Sequence, residues 1–174
     1  MSIRLSVILA LLFGFFTNSI AQNQTKSVKA HAHGVSTWSL AFDGKTGKLI
    51  VETPGESILG FEYEPKKKKD ILKASANLQK FEQSIPNMVV IPSEYSCVWT
   101  KKTLDVLREE NNKKHCEIEA EFEINCQKNL EGAEIKFYIQ KYFPKFHSVN
   151  AEILFGNIQK SLPANRAGVS VFLK

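Results

Sequence analysis

The chain predicts an α+β domain made mainly of antiparallel β-sheet, with about seven strands in a sandwich-like arrangement and one main α-helix near residues 66–83. Three observations carry this expectation. First, Cys116, Ile118, Ala120, Phe122, Ile124 and Cys126 share one parity, and His115, Glu117, Glu119, Glu121 and Glu123 the other. Strict alternation of this kind marks a half-buried strand. Second, Ile71, Ala74, Leu78 and Phe81 recur at helical spacing and define one apolar face. Third, the remaining alternating stretches are joined by short, turn-rich connections, which suit antiparallel neighbours.

Residues 1–21 have the make-up of a secretory signal peptide. Arg4 is the positive flank, Val7 to Phe16 is an apolar run broken only by Gly14, and Ser19-Ile20-Ala21 places cleavage after Ala21. The run is shorter than the ~20 residues a membrane span needs, and no later stretch is long and apolar enough. The mature chain is therefore expected outside the cytoplasm, in an oxidising compartment. Residues 22–30 are polar and read as a flexible N-terminal segment. Residues 31–174 read as a single domain, long enough for a real core. Much of the net charge of +5 comes from Lys66 to Lys69. A solvated face explains this run, and without interleaved aromatic residues it argues against nucleic acid.

Trp38, Leu40 and Phe42 alternate with small or polar residues and predict the first strand. Asp43-Gly44-Lys45-Thr46-Gly47 is a turn, Lys48 to Thr53 a second strand, and Pro54-Gly55 its stop. Glu56 to Pro65 is a connector leading to the helix. Pro86 and Pro92 bracket a short loop or edge segment. Cys97 to Leu107 is the next strand, Arg108 to Lys114 a charged turn, and 115–126 the alternating strand. Residues 135–142 and the Phe143-Pro144-Lys145-Phe146 stretch follow, and further strands are expected over 147–155, 157–161 and 169–173.

The chain has three cysteines, which in an exported protein leaves one unpaired. Cys97 opens one strand and Cys126 closes another. If those strands form a hairpin their ends meet, so a Cys97–Cys126 disulfide is expected, and Cys116, on the core parity, is a buried thiol.

Two of the four histidines stand in His31-Ala32-His33-Gly34. In an extended segment, residues two apart point the same way with Cα atoms about 6.6 Å apart. Two imidazoles so placed can converge on one metal ion, or can simply be solvated.

Taken together, the motifs resemble the ZrgA-like family of periplasmic proteins associated with zinc uptake. The resemblance rests on His31-Ala32-His33-Gly34, Gly60-Phe61-Glu62, Cys97, His115-Cys116-Glu117-Ile118-Glu119 with Cys126, and Phe143-Pro144. Two departures stand out. Residues 108–114 hold no histidine where the family often carries a His- and Asp-rich loop, and Tyr63 stands where a histidine often follows Gly-Phe-Glu.

The resemblance implies a periplasmic protein that binds Zn2+ and assists its uptake, with a zinc transporter component of the envelope as partner. The expected ligands are His31, His33 and His115, with Glu117 or Glu62 as the fourth and Glu119 as the carboxylate that orients a ligand. Imidazole and carboxylate donors suit zinc. Ligating imidazoles must be neutral, so affinity should fall as pH drops through about 6.5. His147 falls outside the motifs and reads as a surface residue.

No nucleophile elbow or serine triad spacing is present, and no enzyme activity is expected. The alternatives are a metal-free envelope module that docks onto a transporter or another envelope protein, and a copper-handling protein. Histidine also suits Cu2+. The lack of methionine clusters, with Met88 the only methionine after Met1, argues against a Cu+ carrier.

Overall fold

The structure, a computed structural model, describes residues 34–109 and 112–174. The expected signal peptide, the segment 22–30 and the pair His31 and His33 lie outside the described residues. In chain order the strands are β1 (Val35–Asp43), β2 (Thr46–Pro54), β3 (Val89–Val90), β4 (Val98–Glu109), β5 (Asn112–Asn125), β6 (Glu134–Phe137), β7 (Ser148–Phe155), β8 (Ile158–Pro163) and β9 (Val169–Phe172). The helices are α1 (Gly55–Leu59), α2 (Lys68–Met88) and α3 (Ile139–Tyr142).

Six strands form the main sheet in the order β4-β5-β2-β1-β7-β8, and three form a smaller one, β3-β6-β9. All neighbours are antiparallel except β1 and β7, which run parallel from Val35 opposite Ser148 to Phe42 opposite Phe155. The α+β, mainly antiparallel architecture is as expected, with nine strands. The β1–β2 hairpin turns at Gly44, whose φ of +56° is open to glycine at little cost.

The alternation in β5 sorts as predicted. Cys116, Ile118, Ala120, Phe122 and Ile124 are buried, while His115, Glu117, Glu119, Glu121 and Glu123 stand on the outer face. Two of those glutamates meet lysines on neighbouring strands: Lys48 to Glu121 at 2.8 Å and Lys102 to Glu123 at 3.2 Å. Such exposed pairs each contribute about 0–1 kcal/mol.

The helix departs from expectation at both ends. It begins at Lys68, leaving Lys66 and Lys67 outside, and Asp70 supplies a favourable negative charge in its first turn. Ile71, at the start of the predicted apolar face, is 49% exposed. At the other end α2 runs through Pro86 to Met88 instead of stopping near Gln83. A proline inside a helix costs about 3 kcal/mol. Ile85 and Met88 nevertheless continue the face of Phe81 at spacings of four and three, and both are fully buried. Each such burial contributes about 1.5–3 kcal/mol, so together they match or exceed the penalty. Val89–Val90 then pairs with β6 at the edge of the smaller sheet, so the loop or edge segment expected between the prolines is an edge strand, preceded by the helix end. Residues 139–142 form the helical turn α3.

Phe81 sits at the centre of the core, fully buried. Its ring lies 6.1 Å from Trp38, 6.4 Å from Phe122, 5.8 Å from Phe143 and 6.5 Å from Phe146. Cys97 and Cys126 form a disulfide one step beyond the Val98–Asn125 pair, at the open end of the β4–β5 hairpin.

Candidate metal centre

The order of the main sheet brings four strand ends to one edge. There β5 and β1 begin, β2 ends and β7 begins, and these strands are consecutive neighbours. Each contributes one residue to a pocket of about 460 Å³: His115 from β5, Pro54 from β2, Gly34 leading into β1 and His147 leading into β7. Glu56 and Ser57 of α1, Glu62 after it, and Lys145 complete the wall.

Glu62 reaches this pocket because its connector is tied down along its length. Gly60 ends α1 with φ +86°, and its N–H donates to the carbonyl of Glu56 at 3.0 Å. Asn77 Nδ2 donates to the Leu59 carbonyl at 3.1 Å and Arg108 Nη1 to the Glu62 carbonyl at 3.2 Å. Phe61 is buried and its ring stacks on Tyr63 with centroids 4.7 Å apart. With the backbone so held, the Glu62 carboxylate contacts Nδ1 of His115. Tyr63 hydroxyl donates to Asp70 at 3.3 Å and stays on the surface.

Lys145 closes another side. Its Nζ donates to Glu56 Oε1 at 2.6 Å and to the Gly60 carbonyl at 3.2 Å. The hydrogen bond and charge of Lys145 hold the Glu56 carboxyl below the usual carboxylate range, and His147 adds a weaker pull the same way. Glu56 and Lys145 thus offset each other, while the Glu62 carboxylate faces His115.

The approach of α1 to β5 depends on Gly55. A Cβ there would stand 2.2 Å from Cys116 Sγ and 3.1 Å from the Cys116 carbonyl. Gly55→Ala is expected to destabilise the domain by about 1–3 kcal/mol through overpacking, read as a lower denaturant midpoint at unchanged slope. Adding Cys116→Ala removes the closest clash and should return part of the loss. A double variant no more stable than Gly55→Ala would contradict the contact. Burial pushes the Cys116 thiol up, with Arg108 beside it working the other way. It is a core thiol, as expected from its parity.

The candidate residues fall into three groups. His115 and Glu62 share the pocket wall and touch. His31 and His33 lie outside the described residues, although Gly34, the residue after His33, lines the same pocket. Glu117 and Glu119 are not on that wall: Glu117 is in register with Pro54 and Leu107, and Glu119 with Glu52 and Asp105. As the side chains stand, no group of three or more His, Cys, Asp or Glu among the described residues is gathered closely enough to hold a metal ion. His147 belongs to the pocket without belonging to any motif. One sequence signal was available: it directly precedes an alternating strand, as Gly34 does.

These features define a class, a β-rich α+β domain with a histidine–carboxylate pocket at one end of its main sheet. The chain belongs to the ZrgA family of zinc uptake proteins, whose sequence profile matches residues 30–171. No curated protein matches the chain.

Proposed function

We propose that this protein captures Zn2+ at the sheet-end pocket, in the periplasm, and assists its uptake by passing the ion to a transporter component of the envelope. It binds cargo and catalyses no reaction. The observation that carries this reading is the contact between Glu62 and His115 Nδ1 in a pocket whose wall also includes the residue that follows His31-Ala32-His33.

The contact also refines the roles. A carboxylate that accepts from Nδ1–H fixes the imidazole's tautomer, so the ring would take a metal through Nε2. Glu62 is then the orienting carboxylate, the part first given to Glu119, and His115 is a ligand through Nε2. His31 and His33 are the other imidazole donors. The family membership supports zinc as the cargo.

Calorimetric titration of the mature chain with zinc tests the reading. The wild type should take up one ion. His115→Ala and the double variant His31→Ala/His33→Ala should lose most of the affinity, and Glu62→Gln should lose about 10–100-fold, the usual effect of removing a ligand's orienting partner. Unchanged binding in both histidine variants would remove the pocket from the account. Metal analysis of protein purified with zinc and copper both present separates zinc capture from copper handling and from a metal-free module.

A further inference from the structure

We infer that the start of α2, together with the connector before it, is a docking surface for the anionic phospholipid face of a membrane. The inference goes beyond zinc capture and does not depend on it. Residues 63–73 hold five lysines against two carboxylates, Glu64 and Asp70. Lys66 to Lys69 and Lys73 are all exposed, and none of Lys66 to Lys69 forms an ion pair among the described residues. Asp70, in the same turn, already accepts a hydrogen bond from the Tyr63 hydroxyl. Lysines at a helix start oppose the positive end of its dipole, so they bring α2 no stability of their own.

Charge alone would make only a solvated face. Leu72 sets this face apart, because it stands among the lysines and is 60% exposed. It precedes Phe81 by nine residues, about two and a half helical turns, so it points away from the core in which Phe81 sits. Lys68 and Lys69 come four and three positions before it, the spacings of neighbours on a helix surface. Ile71, beside it, is exposed as well. The half-exposed Tyr63 ring stacks on Phe61, and Lys73 Nζ lies 6.0 Å from the centroid of the Phe61 ring. These contacts hold the connector against the helix and make Tyr63 part of the same surface.

Lysines around an outward leucine, isoleucine and tyrosine suit a bilayer surface. The ammonium groups meet headgroup phosphates, while the apolar side chains and lysine stems enter the boundary beneath. A protein partner fits less well. Lysine is depleted at protein–protein interfaces, and two aliphatic side chains fall far short of the roughly 800 Å² per partner that a stable interface buries. Among the described residues no helix is long and apolar enough to cross a membrane, so the contact is with the surface. Glu62, one residue before Tyr63, lines the sheet-end pocket, and a docked molecule therefore holds that pocket near the bilayer.

Co-sedimentation of the mature chain with vesicles tests this, using phosphatidylcholine alone and an equal mixture of phosphatidylcholine with phosphatidylglycerol. Two variants are compared with the wild type: Lys66→Glu/Lys67→Glu/Lys68→Glu/Lys69→Glu, and Leu72→Asp. The wild type should bind the mixed vesicles, ignore phosphatidylcholine, and be released as salt is raised. The lysine variant should not bind, and Leu72→Asp should bind at least about tenfold more weakly. Both should melt close to the wild type, because the replaced side chains are exposed. A wild type that ignores the mixed vesicles, or binds both kinds equally, would overturn the inference. Undiminished binding by Leu72→Asp would also overturn it, since the lysines alone would then account for adsorption. Capture by polyglutamate without vesicle binding would overturn it in favour of an acidic polypeptide.

Discussion

Replacing Phe81 by alanine is expected to lower the stability of the domain by about 3–5 kcal/mol, the usual cost of removing a large aromatic ring from a packed core. Phe81 is fully buried and is the ring on α2 that meets Trp38 of β1, Phe122 of β5, and Phe143 and Phe146 of the turn before β7. Those neighbours come from separate parts of the chain, so they cannot collapse into the space without moving the sheet, the helix or the turn. Offset and edge-on ring pairs add about 0.5–1.5 kcal/mol each beyond area burial, which places the variant toward the upper end of the range. Denaturant unfolding should show a lower midpoint with an unchanged slope. In a domain of this size each 1 kcal/mol moves the melting point by about 2–4 °C. A loss below about 1 kcal/mol would mean that the helix is not held to the sheet through this ring. The sheet-end pocket provides an internal check, because Phe146 immediately precedes His147.

The second large effect is expected from the double variant Cys97→Ser/Cys126→Ser. The disulfide closes a loop with a sequence separation of 29. In the chain-entropy picture such a loop contributes roughly 3.5 kcal/mol by restricting the unfolded chain. The hairpin that it staples carries β5, and β5 carries His115. The variant should therefore melt lower while, at temperatures where it stays folded, retaining the zinc affinity proposed for the pocket. The pocket lies at the other end of β5 from Cys126, next to His115. Wild-type stability in the double variant, or in wild-type protein after reduction, would show that the hairpin needs no covalent closure.

Much of this fold was legible because the sequence pattern and the burial pattern coincide. In β5 each residue's parity alone sorts core from surface, and the meeting of Cys97 with Cys126 followed from pairing two strands end to end. The misreadings share a physical cause, which is that local signals gave way to distant packing. Pro86 looked like a stop, yet Ile85 and Met88 had apolar partners to meet. Residues 139–142 carried no assignment, and the chain turns there so that Phe143 and Phe146 can reach Phe81. The site was half legible. His115 and Glu62 were both named as candidates, but the sequence treated Glu62 as a ligand on a loose connector. Its backbone is in fact fixed by bonds from Asn77, Arg108 and Lys145, residues from 18 to 85 positions away from their acceptors. His147 has no motif around it, and only the pairing of β7 with β1 brings it to the pocket.

That parallel pairing has a kinetic consequence. Ser39 and Glu152, which face each other across it, are 113 residues apart in the chain. Contacts at such separation form late and slow a domain's folding, because the loop between them must close before they contribute. A growing chain can build the hairpin of β1 and β2 early, but the sheet-end pocket has no β7 wall until residues beyond Ser148 have arrived. The pocket, with whatever capture it performs, is therefore among the last features the molecule completes.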